Sequence, residues 1–187
     1  MDEFSYLSVL LSIILGLAVT QILTGFRGLL LSRGRIQLYW PTFVWATLLL
    51  LIFVQSWWAM FGLRQHQDWT FAQFAIVLLQ TVVLYLLAGL VLPDFRENAD
   101  VDLRAHYFGH HGWFFALTFS LGLVSIAKDF VVNGALPDRL NLAFHLVFMS
   151  IAAVGALTRR EWYHKAVALL GVAGVTLYIA LLFTRLR

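Results

Sequence analysis

The amino-acid sequence predicts an all-α membrane protein with six transmembrane helices in a single domain, residues 1–187. Composition is the first reason. Apolar residues make up 61% of the chain and charged residues 12%, whereas a soluble domain has about 45–50% and about 25%. The second reason is the length of the charge-free runs. Residues 4–26, 36–63 and 69–92 hold no Asp, Glu, Lys or Arg. A helix needs about 20 mostly apolar residues to cross about 30 Å of hydrocarbon. Only helices and closed barrels satisfy their backbone in lipid, and barrel strands alternate over only about 10 residues.

The spans fall at about 4–28, 39–62, 70–92, 112–132, 140–158 and 163–184. The fourth is uncharged as far as Ala127, then meets Lys128-Asp129 before Phe130. The fifth is short and carries His145. Pro41 suits the first turn of span two, where its missing N–H has no helical partner to lose. Asp138 is placed to cap span five. Thr158-Arg-Arg-Glu161 is a capping-box pattern before span six. Trp40, Trp57, Trp58, Trp69, Trp113 and Trp162 stand near span ends, where amphipathic rings meet the headgroups. The longest connection, residues 93–111, reads as a loop.

Orientation follows from the cations. Arg27, Arg33, Arg35, Arg96, Arg104, Arg159, Arg160 and Lys165 lie in the odd loops. Arg64, Lys128, Arg139, Arg185 and Arg187 lie in the even loops or near the termini. The excess puts the odd loops in the cytoplasm and both termini outside. Met1-Asp2-Glu3 lacks the positive region of a signal peptide, so the first run reads as a retained anchor. Leu15-Gly16-Leu17 of span one recurs as Leu121-Gly122-Leu123 in span four. Two inverted halves of three helices are the arrangement this repeat would imply.

Ser8, Ser12, Gly16, Thr20, Thr24 and Gly28 recur every four residues along span one. Small residues let helix backbones approach closely in lipid. The stripe reads first as packing inside the chain, otherwise as an oligomer seam or pore lining. Gln21, Gln55 and Gln80 lie within spans one to three. Each needs a partner, because a buried amide without one is unfavourable. They read as interhelical hydrogen bonds or as part of a polar path. Ionisable groups at membrane depth mark function by default. Lys128 and Asp129 point about 100° apart on a helix, so neither is expected simply to pair with the other. His145 is the candidate partner for Asp129. The alternative is that span four ends at Ala127, with Lys128 snorkelling and Asp129 in water.

Asp102, His106 and His110 are four apart and share a face if their segment is helical. Two imidazoles and a carboxylate so spaced could hold a divalent metal. A pH-sensitive cluster or a solvated juxtamembrane segment are the other readings. Haem held between His111 and His164 is not expected. The absence of cysteine removes disulfides, thiolate metal sites and cysteine catalysis. Asp94, Glu97, Asp100 and Asp102 make the loop acidic without a spacing that specifies acid–base chemistry. No phosphate loop, nucleophile elbow or zincin motif is present. An enzyme and a nucleic-acid-binding domain are therefore not expected.

Tyr39-Trp40-Pro41, Gln55-Ser-Trp-Trp58 and His106-Tyr-Phe-Gly-His-His-Gly-Trp-Phe-Phe115 resemble uncharacterised bacterial multi-pass proteins of similar length. The resemblance implies a bacterial inner-membrane setting and brings no activity, cofactor or site residue. The residues themselves lead to a channel or transporter for an ion or small solute. Its polar elements would be Gln21, Gln55, Gln80, Lys128, Asp129 and His145. The competing expectation is an accessory, scaffold or sensor protein that acts through a membrane partner or as a homo-oligomer.

Overall fold

The computed structural model describes residues 3–66, 68–95 and 100–182, with Arg33 and Leu182 described by backbone alone. Arg96, Glu97, Arg185, Arg187 and the last residues of span six lie outside the described residues. Six helices follow one another: α1 (Glu3–Leu31), α2 (Trp40–Met60), α3 (Phe71–Val91), α4 (Leu103–Asn133), α5 (Arg139–Leu157) and α6 (Glu161–Leu182). All six are long and apolar enough to cross a membrane. The chain is a multi-pass membrane protein by that measure.

Local chemistry sets the ends. Pro41 opens α2, as expected. The Asp138 carboxylate accepts the N–H groups of Leu140 and Asn141 and caps α5. The capping box lies elsewhere than expected. Thr70 and Gln73 form it at the start of α3. The Thr158 hydroxyl instead accepts the Arg160 N–H at 3.3 Å, while Glu161 turns to Arg104 and Lys165. Gly134 closes α4 at φ 68°, and its N–H bonds the Phe130 carbonyl. Glycine adopts that left-handed conformation without the steric penalty of a Cβ.

One expectation about α4 is corrected. Residues 103–111 are not a loop but its first turns, capped by Asp102, whose carboxylate accepts the N–H groups of Arg104 and Ala105. At the other end the helix continues through Lys128 and Asp129 to Asn133, in keeping with a span that runs to about residue 132, and the alternative end at Ala127 does not hold. Its 31 residues rise about 46 Å, well beyond the hydrocarbon thickness. A further element was not expected: β1 (Ile36–Gln37) pairs in parallel with β2 (Val101–Asp102). It ties the α1–α2 connection to the α3–α4 connection.

The main packing partners are α4 with α3 and α5, α1 with α3, and α2 with α6. Leu11, Leu15, Ala18, Ile22, Gly25 and Leu29 form the buried face of α1. The small-residue stripe therefore does not pack inside the chain along most of its length. Ser12, Gly16, Thr20 and Thr24 are exposed, and Ser8 and Gly28 are half-buried. A Cβ on Gly16 would meet nothing within 4 Å. Gly28 is the exception, because a Cβ there would run into the Phe95 ring. Successive helices reverse direction. The starts of α2, α4 and α6 thus share the strand end with β1 and β2, and the starts of α1, α3 and α5 share the opposite end.

Candidate functional site

At the strand end, His164 in the first turns of α6 is fully buried, with 0% of its surface exposed. Its two ring nitrogens are both engaged. Nε2 lies 2.9 Å from the Thr158 carbonyl oxygen, and Nδ1 lies 3.0 Å from the Tyr107 hydroxyl of α4. A carbonyl only accepts, so the neutral ring carries its proton on Nε2 and takes the Tyr107 O–H on Nδ1. The side chain joins the α5–α6 connection to α4. Its ring also meets His111, Phe108, Phe115 and Tyr163 at centroid distances of 5.3–5.7 Å.

His111 is the second buried histidine. Its Nδ1–H donates to the Phe108 carbonyl at 2.9 Å, which leaves the Nε2 lone pair free of that bond. A cavity of about 10 Å³ lies beside it, lined by Trp45, Leu90, Val91, Tyr107, His110, His111 and Phe114. That is close to the volume that holds one water. Three polar atoms on one face of α2 and its lead-in are buried without a partner among the described residues: Tyr39 Oη, Thr42 Oγ1 and Trp45 Nε1. The Trp45 indole approaches the Tyr107 hydroxyl without reaching hydrogen-bonding geometry. The Tyr39 ring meets that of Tyr107 at 5.3 Å between centroids, tilted by 57°. Burial, then the nearby Glu161 carboxylate, pushes the Tyr39 phenol up to about 12. Outside this core, Glu161 binds Arg104 of α4 and Lys165 of α6, each at 2.8 Å.

Of the residues expected to hold a metal, His106 and His110 meet at 4.5 Å between ring centroids, but Asp102 does not join them. Asp102 is spent on capping α4. His106 Nε2 bonds the Leu90 carbonyl at 3.0 Å, and His110 Nδ1 bonds the His106 carbonyl at 2.9 Å. No group of three potential ligands forms among the described residues. His111 and His164 do meet, at 5.4 Å between ring centroids. Both nitrogens of His164 are already bonded, so it has no lone pair to offer an iron.

Of the six residues expected along a polar path, Lys128 and Asp129 are the one pair that meets among the described residues. Gln21 is exposed and donates to the Tyr85 hydroxyl at 3.2 Å. Gln55 and Gln80 are half-buried on α2 and α3. Lys128 and Asp129 do approach each other, at 3.9 Å. His145 does not reach Asp129. Its Nδ1–H donates to the Asn141 carbonyl, so Nε2 accepts the Ser125 O–H, each at 2.9 Å. Asn141 in turn accepts the Tyr178 hydroxyl at 3.2 Å.

Tyr39, Thr42, Trp45 and Tyr107 were not singled out from the sequence. Two signals were present: polar tips at positions 39, 42 and 45, and Leu103, Tyr107 and His111 at intervals of four. Both spacings place residues on one helix face. No protein-family model, curated protein or solved structure matches this chain.

Proposed function

We propose that the chain is a non-enzymatic, proton-responsive membrane protein of the sensing or accessory class. The observation that carries this reading is His164: fully buried, yet hydrogen-bonded to two separate elements. Protonation at Nδ1 removes the acceptor that the Tyr107 hydroxyl donates to, and it places an imidazolium among His111, Tyr107, Phe108, Phe115 and Tyr163. Tyr107 must then turn or α4 and α6 must shift, with Tyr39 and Trp45 of the α2 region against the same ring. Glu161, held by Arg104 and Lys165, and Asp102, which caps α4, are carboxylates at this end.

The test is hydrogen exchange of the protein in lipid nanodiscs between pH 8 and pH 5. Acid should speed exchange over residues 103–111, and Tyr107→Phe should blunt the response. Equal profiles for the wild type and Tyr107→Phe would sink the reading. The setting that goes with it is a bacterial inner membrane, with the strand end cytoplasmic and both termini outside. The Lys/Arg excess and the resemblance to bacterial multi-pass proteins support that setting. The outward-facing stripe of α1 supports a homo-oligomer or a membrane partner. The recurring Leu-Gly-Leu supports inverted halves of three helices.

A second reading, permeation of an ion or small solute, draws on Lys128 and Asp129. Their side chains keep 21% and 20% of their surface within a membrane-length helix. Proton, potassium and chloride flux into liposomes separates the two. Flux that an Asp129→Asn/His145→Ala variant alters would favour permeation. No flux from folded protein would favour sensing.

A further inference from the structure

At the end opposite the histidine cluster, α1 and α3 begin side by side. The Oε2 atom of Glu3 accepts the Trp69 backbone N–H at 3.0 Å, which fixes the carboxylate against the lead-in to α3. Between them opens a cavity of about 470 Å³, walled chiefly by Glu3, Tyr6, Trp69, Thr70, Phe71 and Phe74. Four of these are aromatic, and Glu3 is the one carboxylate, with no Lys, Arg or His, among the lining residues. Tyr6 and Phe71 are 72% and 85% exposed, so their ring faces are open to a ligand rather than packed on the protein.

A carboxylate set among aromatic faces is complementary to an organic cation. The rings attract an ammonium through their quadrupoles, and the carboxylate supplies the opposite charge, with a charge-assisted hydrogen bond where the ammonium carries an N–H. The volume falls in the range of small-ligand sites, about 300–1,000 Å³. The cavity sits at the starts of two helices long enough to cross a membrane, and the end of a spanning helix is where it meets lipid headgroups. Below it, Val9, Ile13 and Leu17 are each more than half exposed and follow one another at intervals of four. They offer an apolar track along α1 for an acyl chain.

We propose that this pocket binds the ammonium headgroup of a membrane lipid, with Glu3 as its counter-ion and Tyr6, Trp69 and Phe71 as its walls. An ordinary aromatic belt anchors a helix without choosing between headgroups. This site should choose.

The experiment uses the full chain, purified in mild detergent and stripped of lipid, with native mass spectrometry as the readout. Dioctanoyl phosphatidylethanolamine and phosphatidylcholine are compared with phosphatidylglycerol of the same chain length. The ammonium lipids should bind about tenfold more tightly. Glu3→Gln keeps an acceptor for the Trp69 N–H and should remove that preference. Tyr6→Leu, at an exposed position, should weaken ammonium-lipid binding about threefold. Asp100→Asn, at the strand end, should bind as the wild type does. Equal affinity for the three lipids, or an unchanged preference in Glu3→Gln, would overturn the proposal. Tight binding of free choline or ethanolamine without lipid preference would also overturn it, in favour of a soluble ammonium ligand.

Discussion

His164 and His145 stand at opposite ends of the molecule and hold their neighbours in opposite ways. His164 carries its proton on Nε2 and bonds outward, to the Thr158 carbonyl and to Tyr107, which is 57 residues away in the sequence. His145 carries its proton on Nδ1 and bonds the carbonyl of its own helix four residues back. Its one hydrogen bond outside α5 among the described residues is to Ser125, although its ring also meets Tyr178 of α6 at 6.1 Å between centroids. The ends differ in the same sense. The strand end is knitted by the β1–β2 pair, the Arg104–Glu161–Lys165 ion pairs and an aromatic shell around His164. The opposite end keeps an open cavity and half-buried polar groups. The comparison teaches that a histidine's consequence depends on how many elements share its hydrogen bonds, not on its depth along a span.

The largest expected difference comes from truncation. His164→Ala leaves a cavity and strands both the Tyr107 hydroxyl and the Thr158 carbonyl. It should destabilise the fold by about 3 kcal/mol. His145→Ala should destabilise it by about 1 kcal/mol, within the range for a hydrogen bond between membrane helices. Unfolding in sodium dodecyl sulfate measures both, and equal losses would remove the distinction between the ends. A gentler pair sharpens it. Tyr107→Phe deletes one oxygen facing a fully buried acceptor and should destabilise by about 1 kcal/mol. Ser125→Ala, at the looser end, should destabilise by about 0.6 kcal/mol.

Near neutral pH the smallest effect concerns Tyr39. A free phenol ionises near 10, and the folded value is about 12. The native state therefore holds this proton after the unfolded chain has lost it. The stabilisation is complete below about pH 10 and is lost as pH rises through about 12. Subtracting the Tyr39→Phe unfolding curve from that of the wild type should isolate this alkaline loss. Near neutral pH the variant should be as stable as the wild type or more so, because it deletes a buried hydroxyl that lacks a partner. A marked loss near neutral pH would mean that the hydroxyl is satisfied.

The six helices were legible because long charge-free runs have no other use in so apolar a chain. Pro41 and Asp138 were legible because their end chemistry is local. The first turns of α4 were missed because Arg104 and three histidines make the segment look like a polar loop. Its buried face of Leu103, Tyr107 and His111 shows only when the spacing of four is read through those charges. The capping box at Thr70 and Gln73 was present as Thr-x-x-Gln and was overlooked for a weaker pattern at Thr158. The Tyr107–His164 bond and the β1–β2 pairing could not be read at all. They depend on which helices are neighbours, and a single chain's periodicity does not carry that. The same limit explains the dispersal of Gln21, Lys128 and His145. Depth along a span was visible, but facing was not.

Nitrogen-15 nuclear magnetic resonance of labelled histidines in nanodiscs tests the central contrast most directly. At pH 8, His164 should give the Nε2–H tautomer and His145 the Nδ1–H tautomer. Acidification should convert His164 to the imidazolium together with a shift of the Tyr107 signal, and Tyr107→Phe should change the His164 titration while leaving His145 as it was. An Nδ1–H tautomer at His164, or a His164 titration indifferent to Tyr107→Phe, would contradict the account.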